Sequence, residues 1–83
     1  MFKVYGREGC KYCTDATNDL TFAGIDFEYI DVKLPENSES LALIKSRGLT
    51  TVPQIYDGEV HVGGYDKLRA YLKVTKQGIY NGR

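Results

Sequence analysis

Polar and apolar residues alternate at Phe2-Lys3-Val4-Tyr5, the period of a short strand, and Gly6 to Gly9 reads as the loop after it. From about Lys11 to Ala23 the spacing lengthens to three or four. Cys13, Ala16, Leu20 and Ala23 share one helical face, Thr14, Asp15, Asn18 and Asp19 point away as a solvated face, and Gly24 marks the stop. Asp26 to Val32, rich in aromatic and branched residues, predicts a second strand. Strand, helix and strand in so short a span make a parallel pair with a right-handed crossover. Pro35 and Glu36 open a second helix to about Arg47, with Leu34, Leu41 and Ile44 toward the core and Gly48 beyond its end. Gln54-Ile55-Tyr56 and Glu59-Val60-His61-Val62 flank Asp57-Gly58, a pair suited to a two-residue hairpin turn. Gly63-Gly64 leads into a last helix from about Asp66 to Val74, with Leu68, Tyr71 and Leu72 as its apolar stripe and Asp66 as its cap. The polar stretch from Thr75 is expected to fray. The order βαβ, α, ββ, α predicts an α/β fold, a four-stranded mixed sheet flanked by three helices.

A chain of 83 residues suits a single domain spanning 1–83. Eleven basic and eleven acidic residues are mixed along it, so no basic stripe points to nucleic acid and no polybasic segment points to a membrane. Met1 to Tyr5 is too short for a secretory apolar region, and no run approaches the roughly 18 residues of a membrane span. A cytoplasmic location and a monomer are the expectations.

The chemistry lies in Glu8-Gly9-Cys10-Lys11-Tyr12-Cys13, which holds the only two cysteines. A bridge closing so short a loop removes little entropy from the unfolded chain, so it would stabilise little. The pair reads instead as redox or metal chemistry. A tetrahedral zinc site needs four ligands, and His61 is the only other soft donor, so no metal is expected. At the start of a helix, free backbone N–H groups and the dipole favour a thiolate, and Lys11 adds positive charge, so Cys10 is the expected nucleophile. Cys13, one turn deeper on the core face, is the expected resolver.

Three blocks extend the pattern: Tyr5 to Cys13, Thr50-Thr51-Val52-Pro53-Gln54-Ile55, and Gly63-Gly64-Tyr65-Asp66-Lys67-Leu68. In order and interval they resemble the glutaredoxins, of thioredoxin-like fold, and among them the small bacteriophage type, over residues 1–74. The resemblance implies a cis peptide before Pro53, with the backbone of Val52 turned toward Cys10. Taken alone, Pro53 reads as a blunted strand start, and it is the three blocks together that reverse this. It further implies that glutathione, a co-substrate and not a tightly bound cofactor, meets Lys11, Tyr12, Thr51, Val52, Pro53, Gly64, Tyr65 and Asp66. Asp66 would take the ligand's amino group or simply cap its helix. Arg7 would meet the glycyl carboxylate or remain a solvated loop residue.

Two positions depart from the family. Lys11 replaces the proline that commonly follows the first cysteine, so the redox potential is expected to be the chain's own. Leu49 stands where many relatives carry Arg or Lys, with Arg47 two residues earlier as a substitute. His61 is not expected to act as a catalytic base. The resemblance implies a glutathione-dependent thiol–disulfide oxidoreductase acting on disulfide-containing proteins, with ribonucleotide reductase as one client. The alternatives are a redoxin recharged by thioredoxin reductase and a glutathione-ligated iron–sulfur module.

Overall fold

The computed structural model describes the backbone of residues 1–81 and the side-chain surroundings of residues 1–73. Strand β1 spans Phe2–Gly6, helix α1 Lys11–Phe22, β2 Phe27–Asp31, α2 Ser38–Ser46, β3 Gln54–Asp57, β4 Val60–Gly63 and α3 Tyr65–Asn81. The sheet order is β2-β1-β3-β4, with β1 parallel to β2 and the other neighbours antiparallel.

Alternation in β1 sorts the core into two layers. Phe2 and Val4 face one way and join Ala16 and Leu20 of α1, Ile55 of β3 and Leu68 of α3. Tyr5 faces the other way and joins Ile30, Val32, Ile44 of α2 and Tyr56. The sheet is thus sandwiched between α1 with α3 on one face and α2 on the other. The β1 strand sits inside the sheet, so its C-terminal end, where the cysteine loop begins, is fixed from both faces and both edges.

The structure revises several local expectations. Pro35–Asn37 forms a 3-10 turn ahead of α2, because Pro35 has no N–H to give and the Asn37 N–H bonds the Leu34 carbonyl at 2.9 Å. Leu34 precedes that turn in an extended conformation, outside the helical period, and is exposed. The hairpin turn is Gly58-Glu59 and not Asp57-Gly58: Asp57 pairs with Val60, and Gly58 takes the first turn position with φ +62°. Helix α3 starts one residue before Asp66, so Asp66 lies in its first turn and not at the cap. It runs beyond the expected end at Val74, in a stretch free of proline. Asp15 and Asp19 are half-buried and engaged with neighbours, not a free solvated face.

Candidate active site

Cys10 is the N-cap of α1, in an extended conformation, and its Sγ accepts the backbone N–H of Cys13 at 3.2 Å. That amide is one of the helix's otherwise unpaired donors, and a donor aimed at sulfur favours the anionic form of the thiol. The Cys10 carbonyl accepts the Thr14 N–H at 3.2 Å, the first helical bond. Cys13 is buried, with only 1% of its surface exposed, whereas Cys10 is partly open. The two are joined as a disulfide with Cα atoms 5.2 Å apart. The outer and inner positions expected from periodicity are therefore the ones observed.

Gly6, the last residue of β1, makes this packing possible. A Cβ there would lie 2.8 Å from Cys13 Sγ and 2.9 Å from the Tyr29 hydroxyl, closer than real side chains come. Its place as the end of a strand running into the cysteine loop was the available signal, but the close approach depends on Tyr29 arriving from β2.

Opposite the disulfide, the Val52–Pro53 peptide is cis and the Val52 carbonyl oxygen lies 3.8 Å from Cys10 Sγ. Pro53 is buried, and its carbonyl would sit 3.8 Å from a Cβ built on Gly64. These segments border a cleft of about 460 Å³ lined by Tyr12, Thr51, Val52, Pro53, Gly64, Tyr65 and Asp66. Volumes of roughly 300 to 1,000 Å³ suit small ligands. Tyr12 and Tyr65 stack with ring centroids 5.9 Å apart, tying the start of α1 to the start of α3. The Tyr65 phenol is held above its ordinary pKa, first by a hydrogen bond to Asp19 and then by burial.

Two expected contacts lie off this cleft. Lys11 Nζ pairs with Asp15 at 2.9 Å and rests 5.5 Å from the Tyr12 ring centre, and the hydrogen bond to Asp15 raises its pKa. The Asp15 partner offsets much of the positive charge that Lys11 was expected to lend Cys10. Arg7 lines a separate hollow of about 420 Å³ with Glu8, Cys13, Thr14, Phe27 and Tyr29. Arg47 does not replace the missing cation at Leu49. Its Nη1 donates to the Tyr56 hydroxyl at 2.6 Å and its guanidinium lies 5.3 Å from that ring's centre, while Leu49 packs on the α2-side core. Among the described residues the cleft lining carries one acid, Asp66, and no base. Among the described residues no group of three or more His, Cys, Asp or Glu is arranged to hold a metal ion. Sequence reasoning passed over Gln54, a polar residue in an apolar strand, which proves buried beside the Thr51–Pro53 segment.

A family model described as Glutaredoxin matches residues 2–62. A glutaredoxin of Pseudomonas aeruginosa is 44% identical over 75 residues, covering 88% of this chain and 86% of the relative. The glutaredoxin of Enterobacteria phage T4 is 38% identical over an alignment of 90 residues, covering 88% of this chain and all of the relative. Among solved structures, glutaredoxin from Brucella melitensis is 37% identical and superposes with a TM-score of 0.70, covering 94% of this chain and 84% of its own. The fold is the thioredoxin-like one, as the three sequence blocks implied.

Proposed function

The chain belongs to the glutaredoxin family of thiol–disulfide oxidoreductases, and from that premise we propose that it reduces protein disulfides and glutathione mixed disulfides with electrons from glutathione. The observation that carries the reading is the cleft bordering Cys10, walled by Thr51–Pro53 and by the N-terminus of α3. A γ-glutamyl carboxylate suits the free amides at that N-terminus, and the Asp66 carboxylate suits its ammonium group.

In the deglutathionylation step the Cys10 thiolate attacks the glutathione sulfur of a mixed disulfide and the client thiolate leaves and is protonated. A glutathione thiolate then attacks that adduct, giving glutathione disulfide and restoring Cys10. With a protein disulfide, Cys10 forms the mixed disulfide and Cys13 attacks the Cys10 sulfur, expelling the client thiol and closing the Cys10–Cys13 bridge. Two glutathione thiols reopen the bridge. Ribonucleotide reductase, which must be re-reduced after each turnover, is one client consistent with this chemistry.

Among the described residues the cleft lining offers glutathione's second carboxylate no cation, which favours one second reading, direct reduction by thioredoxin reductase. Turnover of a glutathionylated peptide with glutathione and glutathione reductase, compared with turnover driven by thioredoxin reductase, separates the two. Glutathione-dependent turnover is expected, and its absence beside activity with thioredoxin reductase would overturn the proposed donor.

A further inference from the structure

Gln54 is the one buried polar or charged side chain among the described residues, 5% exposed, at the start of β3 directly after Pro53. Its Nε2 donates to the Thr51 carbonyl at 2.9 Å and to Thr51 Oγ1 at 3.2 Å. A carbonyl only accepts, so the NH₂ end must face Thr51 and the Oε1 end must face outward. Oε1 lies 2.8 Å from His61 Nε2 on β4, which fixes that nitrogen as the donor. The imidazole is itself directed by Tyr56, its partner across the hairpin, with ring centroids 4.8 Å apart. Neither Gln54 nor His61 lines the cleft, but Thr51 does. Val52 is held by packing on the α2-side core, and Pro53 is buried. Thr51 is exposed and is tied to the sheet through Gln54.

We propose that Gln54 and His61 are positioning residues for substrate: His61 orients Gln54, and Gln54 fixes the Thr51 peptide and with it the cleft wall facing Cys10. This rests on the reading that the cleft takes a glutathionyl or extended disulfide substrate. A half-broken network is costly here, because a buried amide without its partner must seek another and carries Thr51 with it.

Three variants separate positioning from structure. Gln54→Glu keeps shape and the His61 contact but turns an acceptor toward the Thr51 carbonyl. His61→Phe keeps the ring on Tyr56 and loses the donor, and His61→Gln restores a donor. With a glutathionylated peptide as substrate, the first two are expected to raise KM on the order of five- to tenfold, about the loss of one hydrogen bond, while His61→Gln stays near wild type. Alkylation of reduced Cys10 by iodoacetamide is expected to be unchanged in all three, since that sulfur is set by α1. Unchanged KM in Gln54→Glu and His61→Phe, or alkylation falling in step with KM, would overturn the proposal. Should Gln54→Glu fail to fold, the exposed His61 pair decides alone. If wild type shows no glutathione-dependent turnover, the donor reading fails, and the same KM ratios are read on a peptide disulfide reduced with dithiothreitol as the electron source. Nitrogen-15 spectra at about pH 8 should find neutral His61 protonated on Nε2. Protonation on Nδ1 would contradict the network.

Discussion

The two segments that meet at Cys10 are held by different forces. The cysteine loop hangs between β1 and α1, and what fixes it is apolar packing: Cys13, Ala16 and Leu20 are buried in one file, and Gly6 lets the strand end close onto Cys13. The Thr51–Pro53 segment comes 3.8 Å from Cys10 Sγ, yet its outermost residue, Thr51, is anchored by the Gln54 amide, itself bonded to His61. Packing is short-ranged and stiff, so the nucleophile gains a fixed position. Hydrogen bonds set direction, which suits a wall that must present its backbone to a ligand. Damage to the first segment should therefore appear in chemistry and stability, and damage to the second in substrate affinity.

The largest effect tests the division of labour within the first segment. Cys10→Ser is expected to abolish turnover, whereas Cys13→Ser should lose reduction of protein disulfides and keep deglutathionylation in a coupled assay; equal loss in both would remove the distinction. Leu20→Ala comes next. Leu20 is fully buried, and the truncation should cost about 2 to 5 kcal/mol in denaturant unfolding, a large share of the stability of a domain this size. Gly6→Ala should cost about 1 to 3 kcal/mol and also shift the equilibrium of the cysteine pair against a glutathione buffer, because Cys13 Sγ is one of the atoms that must move.

Across the cleft from Pro53, immediately before α3, Gly64→Ala gives the complementary case. A Cβ there meets protein atoms only at 3.8 Å, ordinary contact, so unfolding should be nearly unchanged while KM rises several-fold as the methyl enters the cleft. An unchanged KM would place the ligand elsewhere. The smallest effect concerns Tyr65. Hydrogen bonding to Asp19 favours the neutral phenol, so its contribution to stability is fully present below the ordinary tyrosine range near pH 10 and is lost as pH rises through the raised value. Ultraviolet titration should show Asp19→Asn moving one tyrosine back toward that range.

The sequence made the cysteine pair, the helical face behind it and the succession of strands and helices legible, because each is a local period or spacing; the pairing of β1 with β3 that joins the two halves of the sheet is not. The wall of the cleft was legible only when three separate blocks, Tyr5 to Cys13, Thr50 to Ile55 and Gly63 to Leu68, were read together as a family pattern. Missed features share another cause: a side chain's direction is chosen by its tertiary partner. Arg47 turned to Tyr56 and Arg7 to the hollow beside Tyr29, and nothing in their spacing distinguishes those surroundings from a ligand, whereas Lys11 turned to Asp15, a pairing that their i,i+4 spacing on α1 did signal. Leu34 looked like a core residue because the 3-10 turn that interrupts the helical period is imposed by the next residue, Pro35. Gln54 was hidden for the opposite reason, since a polar residue inside a strand signals burial only once its partners are known.

In the proposed function Cys10 receives the glutathionyl half of a mixed disulfide because the cleft beside it suits that half better than a client peptide. Intact-mass analysis of Cys13→Ser after exposure to a glutathionylated peptide tests this directly. One glutathione adduct is expected, located on Cys10 and removed by free glutathione. An adduct with the peptide half, or no adduct while Cys10 remains alkylatable, would contradict it.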